Sequence, residues 1–444
     1  MNKPSFKIAG LLASVTGAMF FTNLTMAQEI KVSSGNASKF EAVLNNPKVQ
    51  AAMSQIKADT NETLAEHIRL TEIEAPFFLE QKRAEYYVEQ LKKRGLKDAY
   101  IDDEGNAIGI RKGTGNGPTL LIAAHLDTVF PAGTDVTVKL RDGKHYAPGI
   151  GDATRDLASL LAIIDAVNEM GIETEGDIIF SGNVGEEGLG DLRGVKALFR
   201  DHPEIDGFIS MDGTNPNRIV RGGTGSHRYE VHFQGPGGHS FGAFGLASAI
   251  HAMGRAIEKI SEVRTPSDPK TTFTVGTIRG GTSVNSIAAD GWFQIDMRSN
   301  SVEELDKVDA VIRGLAAEAV AEENARWNNG EITVEFKMIG DRPVGFTPVT
   351  SDIVQIAFSA IEGTEGEFRG FSQSSTDSNV PMSMGIPAIT IGGGGEGHDA
   401  HAPEEYYIHT ADAYRGPQRA MLMMLSLVGV KGVSKPVLKD RNIS

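Results

Sequence analysis

The sequence predicts an α/β protein whose central sheet is largely parallel, with a smaller α+β domain inserted into it. Two observations predict this architecture. Short, continuous apolar runs, typical of strands buried on both faces, alternate with stretches of helical periodicity. In the middle of the chain the pattern changes to strict alternation of apolar and polar residues, which is typical of strands with one solvent-facing side. The four apolar runs are residues 119–124, 177–184, 207–211 and 387–391.

The N-terminal segment, residues 1–27, has the pattern of a secretory signal peptide. Lys3 and Lys7 form a basic start, residues 8–22 are apolar, and Thr25-Met26-Ala27 supplies a cleavage site of small residues. The apolar stretch is too short to span a bilayer. The alternative is an ordinary N-terminal core helix. We expect secretion, to the periplasm, of a chain without this segment.

The composition narrows the chemistry. The length of 444 residues predicts two to three domains and a sizeable core. The chain has no cysteine, which excludes disulfides and thiolate metal ligands, so any zinc must be bound by histidine and carboxylate, as in catalytic sites. The formal charge of −15 disfavours nucleic acid as a partner. No run after the N-terminal segment is long enough for a membrane helix.

The first part of the chain contains the predicted helices. Residues 38–94 have helical periodicity, with Pro76 where a helix can start and basic residues followed by Gly95 where it ends. A second helix is predicted over residues 152–170, since Gly171 follows the last apolar position.

The middle of the chain predicts a split β-α-β-β-α-β sandwich of the ferredoxin-like type. From about Pro348 the buried-strand pattern returns. We therefore predict a domain over residues 223–342, inserted between two parts of the first domain at 28–222 and 343–444. Its predicted elements are a strand at 228–234, a helix at 243–260, strands at 271–278 and 291–298, a helix at 302–323 and a strand at 331–338.

Each apolar run is followed by a residue type that binds metal. His125, Glu186-Glu187 and Asp212 follow the first three runs, and His398 and His401 follow the fourth. Because ligands bind beyond the carboxyl ends of parallel strands, these side chains should meet at one edge of the sheet. The sequence therefore predicts a metal centre there.

Four acidic residues suggest how such a centre would work. Neighbouring residues that leave a strand point in different directions, so one carboxylate of Glu186-Glu187 can bind metal while the other accepts a proton from water. Asp127 can orient His125 from behind. Asp152 opens a helix, where its carboxylate either bridges two metal ions or acts as a plain N-cap.

The complete set of motifs resembles that of the co-catalytic zinc exopeptidases. This family includes carboxypeptidase G, aminoacylase, succinyl-diaminopimelate desuccinylase and peptidase T. The resemblance covers about residues 40–430, and the middle of the chain resembles the dimerisation or lid domain of that family. The motifs are His125-x-Asp127, Gly151-Asp152, Glu186-Glu187, Asp212, His401-Ala402-Pro403-Glu404-Glu405 and, in the lid, residues 235–240, 280–285 and 296–298. Residues 375–381 are most similar to the peptidase T-like branch.

The resemblance implies a role for each matching residue. His125 and Asp212 would bind one divalent ion, Glu187 and His401 the other, and Asp152 would bridge the pair; zinc is expected, with cobalt or manganese as alternatives. Glu186 would be the general base, with Asp127 as a further catalytic residue. His239 of a homodimer partner would polarise the substrate carbonyl, and Asn285 and Arg298 would hold the substrate. This sequence departs from the family's pattern in one place, the segment Ala153-Thr154-Arg155-Asp156 that follows the bridging Asp152.

The expected function is a secreted, metal-dependent exopeptidase that acts on di- and tripeptides. An N-acyl-amino-acid amidohydrolase of the same family is the alternative. A more distant alternative is a serine hydrolase, because Gly238-His239-Ser240-Phe241-Gly242 matches the G-x-S-x-G elbow. That reading leaves Glu186-Glu187 and Asp212 without a role. A secreted solute-binding protein without activity is the non-enzymatic alternative, and the base at Glu186 argues against it.

Overall fold

The computed structural model describes residues 30–115, 117–328 and 331–441. The predicted signal peptide at residues 1–27 lies outside the described residues. The helices are α1 (Ser34–Leu44), α2 (Pro47–Ala58), α3 (Thr60–Thr71), α4 (Gln81–Lys93), α5 (Thr154–Glu169), α6 (Arg193–Asp201), α7 (Ala249–Ser261), α8 (Val302–Trp327), α9 (Asp352–Glu362), α10 (Asn379–Ser383) and α11 (Arg415–Val428).

The strands form one large sheet and three small ones. They are β1 (Tyr100–Ile101), β2 (Ala107–Arg111), β3 (Thr119–His125), β4 (Lys139–Arg141), β5 (Lys144–Tyr146), β6 (Asp177–Asn183), β7 (Ile205–Met211), β8 (Ile219–Gly223), β9 (Gly225–Gln234), β10 (Gly238–His239), β11 (Thr271–Gly280), β12 (Ser286–Ile287), β13 (Asp290–Ser299), β14 (Thr333–Arg342), β15 (Gly345–Phe346), β16 (Phe371–Ser374), β17 (Ala388–Ile391), β18 (Glu396–His398) and β19 (Tyr406–Ile408).

The large sheet has nine strands in the order β1-β2-β6-β3-β7-β17-β8-β15, with β16 also paired to β8. At its centre β3 runs parallel to both β6 and β7, and β17 runs parallel to β7. The antiparallel pairs lie toward its two edges. This mixed but centrally parallel sheet confirms the predicted α/β class.

Helices cover both faces of the large sheet, which is why its central strands are apolar throughout. In β3 every residue from Leu120 to Ala124 is at most 1 % exposed. One face packs on a core shared with α1, α2, α4, α5, α9 and α11, and the other packs on α6 and α10. Two-sided burial requires continuous rather than alternating apolar sequence. Within the described ranges, no helix is both long and apolar enough to cross a membrane.

The chain leaves the large sheet after β8 and returns to it at β15. Between them, β9, β11, β13 and β14 form an antiparallel sheet in the order β11-β13-β9-β14, and α7 and α8 pack on one of its faces around a separate core. We call this unit the lid. Its longest helix, α8, begins where the side chain of Ser301 accepts a hydrogen bond from the backbone of Glu304, and it ends at Asn328 with φ of 52°.

Two predicted helix starts were wrong, each by several residues. The helix placed at Pro76 begins at Gln81, because Pro76 forms a β-bridge with Thr128 and Phe78 has a left-handed backbone with φ of 69°. The helix placed at residue 243 begins at Ala249, because Gly245 with φ of 113° cannot belong to a helix. Both segments become loops.

Candidate active site and metal centre

The predicted metal ligands meet at one edge of the large sheet. His125 is the last residue of β3, Glu186 and Glu187 follow β6, and Asp212 follows β7. His401 reaches the same place from the loop between β18 and β19. Since β3, β6 and β7 are parallel neighbours, their carboxyl ends open on the same side.

Asp152 lies between the two histidines. Its Oδ1 is 2.9 Å from Nε2 of His125, and its Oδ2 is 3.4 Å from Nε2 of His401. A carboxylate whose two oxygens face two different imidazoles has the arrangement that a bridge between two cations requires. The N-cap of α5 is instead Ala153, so the alternative of Asp152 as a plain N-cap is wrong.

The ligand atoms form overlapping groups within 4.8 Å of one another, and Asp152 belongs to two of them. Nε2 of His401 also lies 2.9 Å from Oε1 of Glu187. His398 instead stacks on Tyr406 with ring centroids 4.8 Å apart. Of the two C-terminal histidines, the structure therefore brings His401 to the cluster. The groups are His125, Asp152 and Asp212; Asp152, Glu187 and His401; and His125, Glu186 and Glu187.

The electrostatics of the cluster fit a pair of divalent cations. Burial, reinforced by the nearby carboxylates of Asp152 and Glu187, raises the pKa of Asp212 to about 8. Within the described residues, no donor hydrogen-bonds to the Asp212 carboxylate. Crowded carboxylates and two imidazole nitrogens are the donor set of zinc, cobalt or manganese, and cations would relieve their mutual repulsion.

Asp127 fixes both the first histidine and the turn that carries the glutamates. Nδ1 of His125 lies 3.0 Å from the Asp127 carbonyl oxygen, which leaves Nε2 to face the cluster. The Asp127 carboxylate accepts hydrogen bonds from the backbone N–H groups of Glu186, at 3.1 Å, and Glu187, at 2.8 Å. Burial raises the pKa of Asp127, but the hydrogen bonds to its charged form outweigh burial and lower that pKa. Asp127 therefore acts by orientation.

Glu186 is buried and has a basic partner that the sequence analysis missed. Nη1 of Arg342 lies 3.3 Å from Oε1 of Glu186 and 3.0 Å from Oγ of Ser375, and Nη2 donates to the Glu186 carbonyl. Burial raises the pKa of Glu186, whereas the charge of Arg342 opposes that rise. Arg342 ends β14, at the predicted domain limit, and only the folded chain brings it to the turn after β6.

Glu405 holds the loop in front of Asp152. Its carboxylate accepts hydrogen bonds from the backbone of Gly149, at 3.0 Å, and Gly151, at 2.6 Å. Burial raises the pKa of this carboxyl to about 7. The Glu405 side chain therefore supports the loop that precedes Asp152.

A cavity of about 500 Å³ opens in front of the cluster. Arg298 lines it, and Nε of this residue donates to Asp296 over 2.7 Å. Its two terminal nitrogens have no hydrogen bond within the described residues. Sequence reasoning missed three further arginines that line the same cavity: Arg218, Arg228 and Arg342. Their charge was visible in the sequence, but no motif singled them out.

His239 and Asn285 lie in the lid and do not line this cavity. His239 belongs to β10, where its Nδ1 accepts from the backbone of Phe241 and Gly242, each at 3.2 Å. The Asn285 side chain accepts a hydrogen bond from Ser283. A single chain therefore does not bring either residue to the cluster.

The serine-hydrolase alternative finds no support around Ser240. β10, which ends at His239 directly before Ser240, pairs antiparallel with β12, whereas an elbow follows a strand of a parallel sheet. Among the described residues, no histidine hydrogen-bonds to the Ser240 hydroxyl.

A centrally parallel sheet with histidines and carboxylates clustered at its edge is the scaffold of a metal-dependent hydrolase. The sequence model of Peptidase family M20/M25/M40 matches residues 121–422, which is more than half of the chain. The chain therefore belongs to this family. It is 33 % identical over 158 residues, 36 % of its length, to a LysW-lysine/LysW-ornithine hydrolase of Pyrococcus furiosus. That alignment spans 43 % of the relative, under half of its length.

Solved structures share most of the fold. Aminopeptidase PepT from Bacillus cereus superposes with a TM-score of 0.65 and 22 % identity, over 82 % of this chain and 97 % of that one. The YXEP protein of Bacillus subtilis, described as a dinuclear metal binding peptidase, superposes with a TM-score of 0.60 and 18 % identity, over 84 % and 99 %. At these identities the likeness shows the fold alone.

Proposed function

We propose that the protein is a secreted, metal-dependent exopeptidase that hydrolyses the amide bonds of di- and tripeptides. The observation that carries this proposal is the position of Asp152 between His125 and His401, with the buried carboxylate of Glu186 beside them. Such a set holds two metal ions and keeps one carboxylate free for proton transfer. Secretion rests on the N-terminal pattern of residues 1–27.

Two ions would be held by the groups that share Asp152: His125 with Asp212, and Glu187 with His401. When bound, the ions supply Lewis acidity, which polarises the amide carbonyl and acidifies water. Zinc is the proposed metal, with cobalt or manganese as alternatives, since histidine and carboxylate ligands accept all three.

Glu186 is the proposed general base. Its carboxylate accepts a proton from the attacking water and passes that proton to the departing amine. Arg342 holds the Glu186 side chain and backbone, and Asp127 holds the backbone N–H of the same residue. The carboxylate is thus fixed from both sides before substrate arrives.

Arg298 is the proposed anchor for the terminal carboxylate of the substrate. Asp296 fixes Nε of its guanidinium, and the two terminal nitrogens stay available for a two-pronged contact. His239 and Asn285 are proposed to act from the partner subunit of a homodimer, because they lie away from the cavity of their own chain.

The proposal is tested by measuring hydrolysis of a set of candidate substrates with and without a chelator. We expect the zinc-loaded protein to hydrolyse di- and tripeptides, to lose activity with chelator and to ignore serine-directed inhibitors. Exclusive turnover of N-acyl amino acids would replace the exopeptidase with the amidohydrolase alternative. Chelator-resistant turnover that a serine-directed inhibitor stops would contradict the metal mechanism. Binding of peptides without turnover would favour the solute-binding alternative.

A further inference from the structure

The cavity in front of the cluster is lined by four arginines, and one of them has no acidic partner within the described residues. The one carboxylate of Asp296 accepts hydrogen bonds from both Arg228, at 2.8 Å, and Arg298, at 2.7 Å. Arg342 faces Glu186. Arg218 lines the same cavity and, within the described residues, has neither a hydrogen bond nor an ion pair. The guanidinium of Arg218 therefore has its charge and donors left for a ligand.

The loop that carries Arg218 is fixed in front of the cavity. It connects Asp212, at the end of β7, to Ile219, the first residue of β8. The buried guanidinium of Arg419 donates to the carbonyl of Pro216, at 2.9 Å, and to the side chain of Asn217, at 2.7 Å. Arg419 thus anchors the two residues before Arg218. The exposed Arg218 side chain lines the cavity, and its donors have no partner within the described residues.

The rest of the cavity wall is also polar. Besides the cluster and the arginines, Ser374, Ser375, Thr376 and Thr390 line it, and Val129 and Val220 are its apolar lining side chains. A large apolar side chain of a substrate would find little surface to contact here. A carboxylate would find the guanidinium of Arg218.

We infer that the substrates are small peptides with two carboxylates, and that Arg218 determines this specificity. The inference rests on the proposed exopeptidase function. Arg298 binds the terminal carboxylate, and Arg218 binds the carboxylate of an aspartate or glutamate side chain. Because Arg218 is exposed, this contribution weakens as salt is added.

Pairs of isosteric peptides test the inference. The ratio of kcat/KM for Ala-Glu over Ala-Gln, and for Glu-Ala over Gln-Ala, isolates the effect of the side-chain carboxylate and cancels any general loss of activity. In the wild type we expect one of the two ratios to be about tenfold or more, the value of a charge-assisted hydrogen bond. The responding pair identifies which residue of the dipeptide faces Arg218.

Substitutions at Arg218 then assign the effect. The larger ratio should fall to near one in Arg218→Gln and stay above one in Arg218→Lys, which retains the charge. Arg264→Gln is the matched control, because the Arg264 side chain is 87 % exposed in the lid and lies outside the cavity. It should keep the wild-type ratio. A ratio unchanged by Arg218→Gln would overturn the assignment.

Binding separates failure of this inference from failure of the proposed function. Equal turnover of acidic and amide peptides by the wild type would overturn the inference and leave the exopeptidase intact. If no peptide is hydrolysed, the proposed function fails, and calorimetry with Glu186→Gln protein and the same four peptides decides. Tighter binding of the acidic peptides that Arg218→Gln abolishes supports the inference, and equal affinities contradict it.

Discussion

The metal cluster and the lid segment at residues 238–244, which carries His239, differ in how far a single chain buries and supports their side chains. The cluster is built from strand ends, and its supporting residues Asp127 and Glu405 are each at most 1 % exposed. The lid segment presents apolar side chains to solvent, with Phe241 90 % and Phe244 76 % exposed. Folding of one chain therefore positions the ligands, whereas the segment around His239 leaves large apolar side chains exposed.

The largest expected effect comes from removing the bridge of the cluster. Asp152→Ala should lose both metal ions together and all measurable turnover, because the two ligand groups share this one residue. Metal analysis checks the first result. Bound metal stabilises the native state, so the variant and the apo-protein should both melt below the holoenzyme, and added zinc should restore only the apo-protein. Retention of one tightly bound ion with activity would contradict the shared bridge.

The second effect concerns His239 in the lid and separates its role from that of the metal cluster. His239→Ala should lower kcat by about 10²- to 10³-fold, as for loss of one donor to a developing oxyanion, while metal content stays unchanged. If the imidazole acts on the partner subunit, mixing His239→Ala with Glu186→Gln subunits should restore activity.

Random exchange would give at most about one quarter of the wild-type rate, since half of the dimers are mixed and each has one intact site. A fully active monomer in sedimentation would contradict the role of His239 on a partner subunit, because the lid would then need no partner.

The third effect tests how the base is held. Arg342→Met should lower kcat by about 10²-fold, because a displaced catalytic group loses rate steeply with distance. Metal content should not change, since Arg342 contacts Glu186 and the Gly188 carbonyl rather than the proposed ligands. Arg342→Lys should recover part of the rate. Loss of metal in either variant would move Arg342 from positioning the base to supporting the metal site.

The smallest effect concerns the support behind His125. Asp127→Asn replaces one acceptor oxygen with a donor group, so it cannot accept from both Glu186 and Glu187. Loss of such a support lowers metal affinity by about 10- to 100-fold, which a competition titration with a chelating dye measures. Asp135→Asn is a control at an exposed loop, where the Asp135 carboxylate accepts hydrogen bonds from Lys139 and Thr137. Equal metal affinity in both variants would leave Asp127 without a supporting role.

The strand ends could be predicted from sequence because burial on both faces leaves a continuous apolar run, and the ligand types follow directly after it. His125, Glu187 and Asp212 were found in this way. The lid elements were predictable for a related reason, since one solvent-facing side forces alternation along β9.

Other features depend on contacts between distant segments and leave no local pattern. Arg342 reaches Glu186 across 156 positions of sequence, and Arg419 supports the Arg218 loop from α11. The start of α7 was missed because six residues of helix-compatible composition form a loop around Gly245. In such places tertiary packing selects a backbone geometry that overrides the helix propensity of the residues.

The most direct test of the account is the metal content and turnover of Glu186→Gln, measured on one preparation. Glutamine keeps the shape of the side chain but cannot accept the proton. We predict that both ions stay bound and that turnover is almost completely lost. If metal content falls as sharply as turnover, Glu186 is a ligand rather than the base, and the roles assigned to Glu186 and Glu187 are reversed.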